Sequence, residues 1–237
     1  MSMKGAISWH GMAGLVVGIS CTAVAGLFWF GSAERISALS AVAAGWIYVA
    51  MEAWITRGLH WDGVADIGDA LGSGATGERF WLILKDSRLG AFGAMALILV
   101  FALQASAAAL LFGKIPVHGV SAFLALILAP AWARLIVPWL GFGGIGHPSS
   151  TLGAVLCKHV NGAHWLLAWI QAICILSVCF IVGFAGHILL LLLAAQIGLN
   201  IYFRRLGRRH GGLSGDFFGC FIEVSQTSFL LLAACAI

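Results

Sequence analysis

Charge is what this sequence has least of. Only 9% of its 237 residues are Asp, Glu, Lys or Arg, against about 25% in a soluble domain, and its mean hydropathy is +1.01. That excludes a soluble module of useful size. A basic face for nucleic acid is missing too, because the formal charge of +4 comes from residues scattered at the ends of apolar runs. Cys21, Cys157, Cys174, Cys179, Cys220 and Cys235 form no C-x-x-C pair and read as small hydrophobes rather than metal ligands or disulfide partners. There is no P-loop, internal repeat, low-complexity tract or linker.

What is present is apolar sequence long enough to cross a bilayer, again and again. The apolar runs predict spans at about 11–31, 36–57, 90–113, 117–140, 164–184, 187–203 and 217–237. The run after Lys4 is too long for a signal-peptide core, so the first helix is expected to be retained. Basic residues supply an independent check. With seven spans, Lys4, Arg57, Arg79, Lys85, Arg88, Lys158, Arg204, Arg205, Arg208 and Arg209 fall on one side. Only Arg35 and Lys114 fall on the other, with Arg134 inside a span. The expected fold is therefore an all-α, polytopic integral membrane helix bundle of about seven transmembrane helices. It forms a single domain, 1–237, with cytoplasmic motif loops 58–90 and 204–216.

Six of the nine carboxylates lie between Glu52 and Asp86. In Leu59-His60-Trp61-Asp62-Gly63-Val64-Ala65-Asp66-Ile67-Gly68-Asp69-Ala70-Leu71-Gly72, the three aspartates are spaced i, i+4, i+7, so a helix puts them on one face. Like charges at that spacing repel, and an acid near lipid needs a cationic partner. A divalent metal satisfies that need, and metals held by carboxylates commonly serve phosphate chemistry. Asp62, Asp66, Asp69 and Asp86 are the candidate metal ligands, and Mg²⁺ the candidate metal. Gly72 to Gly77 reads as a turn, and 78–86 as a short amphipathic segment suited to the membrane surface.

Lys85 and Arg88 flank Asp86 and suit phosphate. Arg134, mid-span after Pro130, needs a partner. Asp216 and Glu223 are spaced i, i+7 on one face of the last span, so that span is expected to pack beside the helix after Gly58 and complete a polar cavity. Glu223 would line its deeper wall, with Arg134 as its natural partner. His60 is open between base, metal ligand, substrate contact and structural roles. For Arg204, Arg205, Arg208 and Arg209, phosphate contact and topology signal weigh equally.

Three segments resemble the cobalamin synthase family (adenosylcobinamide-GDP ribazoletransferase), an integral membrane family. Gly58 to Leu71 is similar to its glycine-histidine-aspartate-glycine motif with two further aspartates. Leu84-Lys85-Asp86-Ser87-Arg88-Leu89-Gly90-Ala91-Phe92-Gly93 resembles its second motif, and Gly211-Gly212-Leu213-Ser214-Gly215-Asp216 through Glu223 its C-terminal one. Ala70 stands where that family often has Gly, and Gln226 where a second glutamate is common. The resemblance implies a bacterial or archaeal cytoplasmic-membrane transferase with its active site facing the cytoplasm. It would join adenosylcobinamide-GDP to α-ribazole, or its 5′-phosphate, and release GMP with the help of Mg²⁺.

In that chemistry a hydroxyl attacks the phosphorus bearing the cobinamide, which calls for positioning and charge neutralisation. The resemblance implies catalytic roles for Asp62, Asp66, Asp69, Asp86 and His60, and substrate contacts for Lys85, Arg88, Arg134, Asp216 and Glu223. The implied partners are the two small-molecule substrates and the lipid bilayer, with no nucleic acid; a homo-oligomer is left open. One rival is a CDP-alcohol phosphotransferase, but its D-x-x-D-G-x-x-A-R pattern is absent. Another is an ion-coupled transporter using Glu52, Arg134 and Glu223, but the paired motifs of inverted repeats are absent as well.

Overall fold

The computed structural model describes residues 7–32 and 38–237; Lys4 and Arg35, used above for topology, lie outside them. Ten helices follow in order among the described residues: α1 (His10–Gly31), α2 (Ala38–Ile55), α3 (Leu59–Gly72), α4 (Glu78–Leu84), α5 (Ala91–Arg134), α6 (Ile136–Gly141), α7 (Thr151–His159), α8 (Gly162–Ile181), α9 (Gly186–Arg209) and α10 (Gly215–Ala236). The only β-type pairing described is a bridge between Gly146 and Leu213. The fold is an all-α membrane bundle.

Among the described residues, six stretches are long and apolar enough to cross a membrane, one of them the 51-residue Ala91–Gly141. That stretch is folded on itself. His118 leaves helical geometry at φ −120°, ψ 38°, just after Pro116, whose missing N–H and ring break the ladder. Gln104 on the first limb and Arg134 on the second both belong to the cluster around Glu52. A straight helix would hold them about 45 Å apart at ~1.5 Å per residue, so the limbs run back alongside each other. The apolar runs at 90–113 and 117–140 thus correspond to two limbs of one merged helix. At the turn, Lys114 Nζ donates to the Ala234 carbonyl and Ser121 Oγ to that of Val182.

Close packing rests on small residues. Gly14 and Gly18, spaced i, i+4 on α1, lie against the second limb of α5. A Cβ would come within 2.3 Å of the Pro130 carbonyl at the first and 2.1 Å of the Ile127 carbonyl at the second. Without a hydrophobic drive between helices in lipid, such backbone contact is what holds them. The most buried span is α10, with 78% of its apolar window inside the bundle. It packs against α3, both limbs of α5 and α9.

The two expected motif loops are largely helical. Residues 59–72 form α3, 78–84 form α4, and 204–209 are the last turns of α9; Gly72–Gly77 is the expected turn, with Gly74 and Gly77 at positive φ. Rather than lying free on a surface, α4 buries Phe80, Trp81 and Leu84 against the protein. The short helix α7 was not expected; Ser150 caps it by accepting from the Gly153 N–H. Both motif regions sit at one end of the bundle, where Trp81 Nε1 donates to the His210 carbonyl at 2.6 Å.

Candidate functional site

The spacing of Asp62, Asp66 and Asp69 is realised on a helix, α3. Asp62 is exposed, while Asp66 and Asp69 are half-buried. Against this helix lies the start of α10: a Cβ on Gly63 would stand 2.6 Å from the Asp216 carbonyl oxygen and 3.1 Å from its Cα. Ser214 Oγ donates to the Asp216 carboxylate at 2.8 Å. The expected packing of the last span beside the helix after Gly58 is what the structure shows. Acids from two distant motifs meet at one place.

The electrostatics follow from that meeting. Burial, and then the like charges of Asp62, Asp216 and Asp69, push Asp66 up to about 7. An acid cluster of this kind is short of positive charge. Among the described residues, no group of three or more His, Cys, Asp or Glu side chains already stands in metal-holding geometry.

Asp69 has a different environment from its two neighbours. Its carboxylate accepts from the Gly90 and Gly93 backbone N–H groups, both at 2.7 Å. These are the first donors of α5, whose N-terminus favours negative charge. The arrangement needs glycine: a Cβ at either position would sit 2.4 Å from an Asp69 carboxylate oxygen. Asp69 therefore joins α3 to the start of α5.

Asp86 is engaged by Arg88, not by the aspartate helix. Arg88 Nη2 donates to it at 2.7 Å, and the Arg88 backbone N–H at 3.0 Å. These hydrogen bonds hold the half-buried Asp86 carboxyl down at about 2. Lys85 is exposed on the same segment.

Deeper in the bundle, Glu223 is fully buried and its partners are not the expected ones. His60 Nδ1 lies 3.4 Å from one carboxylate oxygen, and Gln104 Nε2 donates to the other at 2.9 Å. Arg134 does not pair with Glu223. Its guanidinium donates to Glu52 at 3.5 Å and to the Pro130 carbonyl at 3.0 Å, and it is buried away from the aspartates. Gln226 donates to both Glu52 and Gln104, so an amide stands where a further acid would have added charge to a buried cluster. The partners Gln104 and Gln226 were missed, although amides inside apolar spans are a signal in themselves, since a buried amide needs hydrogen bonds. Of the four arginines near 204–209, Arg204 is structural: it donates to the Trp139 and Phe142 carbonyls and to Asn200.

Residues 1–234 match the cobalamin-5-phosphate synthase family. The chain belongs to that family. It is 38% identical over 235 residues to a protein of Nitratidesulfovibrio vulgaris (strain DP4) named adenosylcobinamide-GDP ribazoletransferase, covering 98% of this chain and 88% of the relative. Proteins of the same name from Brevibacillus brevis and Laribacter hongkongensis are 32% and 35% identical. They cover 95% and 77% of this chain, and 85% and 69% of their own lengths. No solved structure matches. The CDP-alcohol phosphotransferase and transporter alternatives draw no support from these likenesses.

Proposed function

We propose that this chain is an adenosylcobinamide-GDP ribazoletransferase of cobalamin synthesis, joining adenosylcobinamide-GDP to α-ribazole or its 5′-phosphate with release of GMP. Membership of the family over residues 1–234 agrees with it. The observation that carries it is the junction of α3 and α10, where Asp62, Asp66 and Asp216 share one half-open acidic site beside the second motif. Such a site suits the transfer of a phosphoryl group whose charge must be neutralised while two oxygens are held in line.

Mg²⁺ fits the donor set, because it takes oxygen ligands and binds through one or two carboxylates plus substrate phosphates. The like-charge repulsion on Asp66 is the observation that favours a cation there. Asp62, Asp66 and Asp216 would hold it, while Asp69 fixes the start of α5 and Asp86 holds Arg88. When bound, the ion would neutralise charge on the diphosphate oxygens. Arg88 and Lys85 are placed to meet phosphate from the same end of the bundle. His60, backed by Glu223, stands two residues before the first aspartate as a candidate contact for the attacking hydroxyl.

The protein would sit in the bacterial or archaeal cytoplasmic membrane with this end facing the cytoplasm, as the concentration of basic residues at that end favours. The test is direct. Purified protein incubated with Mg²⁺, adenosylcobinamide-GDP and α-ribazole should yield adenosylcobalamin and GMP in equal amounts. Release of neither product under conditions where the protein stays folded would overturn the assignment.

A further inference from the structure

A cleft of about 610 Å³ opens beside the acidic site, between α4, the turn at His147 and the end of α9. That is within the ordinary range for small-molecule sites, roughly 300–1,000 Å³. Glu78, Trp81, Lys85, His147, Arg209 and His210 line it, and only Lys85 among them has entered the argument as a substrate contact.

The backbone is shaped to build this wall. Gly211 and Gly212, at φ 83° and 150°, turn the chain back after α9. A Cβ on Gly212 would lie 2.5 Å from the His147 backbone nitrogen, so no larger residue fits. The bridge between Gly146 and Leu213 clamps the two segments. Trp81 then stacks on His147 with ring centroids 3.6 Å apart, and Phe80 on His210 at 3.7 Å. The result is a packed aromatic wall in which Phe80, Trp81 and His210 are buried and His147 is half-exposed toward the cleft.

The polar groups around that surface are unmatched. Lys85 and Arg209 are exposed, and neither has an acidic partner among the described ion pairs. Glu78 is exposed and likewise outside them. The Ser149 backbone N–H donates to His147 Nδ1 at 3.2 Å, so the neutral ring carries its proton on Nε2 and can donate from there. Flat ring surface, two free cations and a histidine donor match a phosphorylated aromatic ligand.

The free carboxylate narrows the choice. Guanine presents adjacent N–H groups on N1 and N2, a pair of donors that one carboxylate accepts together. The benzimidazole ring of ribazole has no N–H to offer, and adenine has an acceptor at N1. The cleft also adjoins the acidic site, since Phe80 and Trp81 each lie 6.2 Å, ring to ring, from Phe217, the residue after Asp216. Building on the transferase assignment above, we propose that this cleft seats the guanine nucleotide: the GDP half of adenosylcobinamide-GDP before transfer, and GMP after it. Glu78 reads the base, Trp81 and His147 supply the aromatic surface, and Lys85 and Arg209 take phosphate.

The experiment is calorimetric titration of the full chain in detergent with GMP, guanosine and AMP. Glu78→Gln should weaken GMP about tenfold, the loss expected for a charged hydrogen bond, and leave AMP unchanged. Arg209→Gln should weaken GMP by a similar factor and leave guanosine unchanged. Both residues are exposed, and an unaltered thermal midpoint confirms that each variant is folded. Unchanged GMP affinity in both variants overturns the proposal. So does a rise in KM for α-ribazole without one for adenosylcobinamide-GDP, which would hand the cleft to the acceptor. A wild-type chain that binds GMP through Glu78 yet forms no cobalamin would uphold the cleft and remove the transferase assignment instead.

Discussion

The guanidinium of Arg134 lies 3.5 Å from the carboxylate of Glu52, with both side chains sealed inside the bundle. This pair ties the second limb of α5 to α2. Gln226 from α10 donates to the same carboxylate. A buried pair contributes little net stability when intact, but removing one partner leaves a stranded charge, at a cost of about 3–5 kcal/mol.

Arg134→Met should therefore lower the unfolding midpoint in detergent sharply. The double variant Arg134→Met with Glu52→Gln should recover most of the loss, because no unpaired charge then remains. A single variant as stable as the parent chain would show that the pair carries no such weight.

Asp66→Asn should separate activity from stability. Loss of a candidate metal ligand removes several kcal/mol of charge stabilisation in the transition state, at about 1.4 kcal/mol per tenfold, so turnover should fall by orders of magnitude. Stability should move the other way. The folded protein holds Asp66 up at about 7 against an ordinary 3.8, so the folded state binds the proton more tightly than the unfolded chain. That contribution favours folding below pH 4 and is lost as pH rises through 7. In metal-free buffer at pH 8 the Asn variant should melt higher than the parent, and near pH 4 the gap should close. A lower midpoint at pH 8 would contradict the electrostatic reading of the site.

Much of the fold was legible because lipid imposes simple demands: apolar runs mark the spans, and His10–Gly31 and Gly215–Ala236 lie where hydropathy puts them. The face shared by Asp62, Asp66 and Asp69 was legible from helical periodicity alone. Pairing between helices was not. Glu52 and Glu223 are both acids in apolar surroundings, and nothing in local spacing says which one meets Arg134; the fold-back of α5 at His118 decides it. Asp69 looked equivalent to its neighbours because spacing carries no information about what packs opposite. The N-terminus of α5 gives it a separate role.

That role can be isolated. Asp69→Ala removes the acceptor for the Gly90 and Gly93 N–H groups and should destabilise the protein by about 0.5–2 kcal/mol, as loss of a helix cap does. Asp62→Asn, at an exposed position, should leave the unfolding midpoint nearly unchanged while reducing turnover. Equal midpoints for the two variants would mean that the cap contributes nothing to the fold.

The contact between α3 and α10 offers a steric test of the shared site. A methyl group at position 63 would stand 2.6 Å from the Asp216 carbonyl and 3.1 Å from the Cys220 nitrogen, both backbone atoms that cannot swing aside. Gly63→Ala must push the two helices apart, at a cost of about 1–3 kcal/mol for an overpacked contact. The same displacement moves Asp216 away from Asp62 and Asp66, so turnover should fall although no ionisable group has been changed. Gly186→Ala, where an added Cβ meets nothing within 4 Å, is the matched control and should leave both properties near those of the parent. If Gly63→Ala turns over normally while its midpoint drops, α3 and α10 support one another without building a common site, and the assignment of Asp216 beside the two aspartates loses its footing.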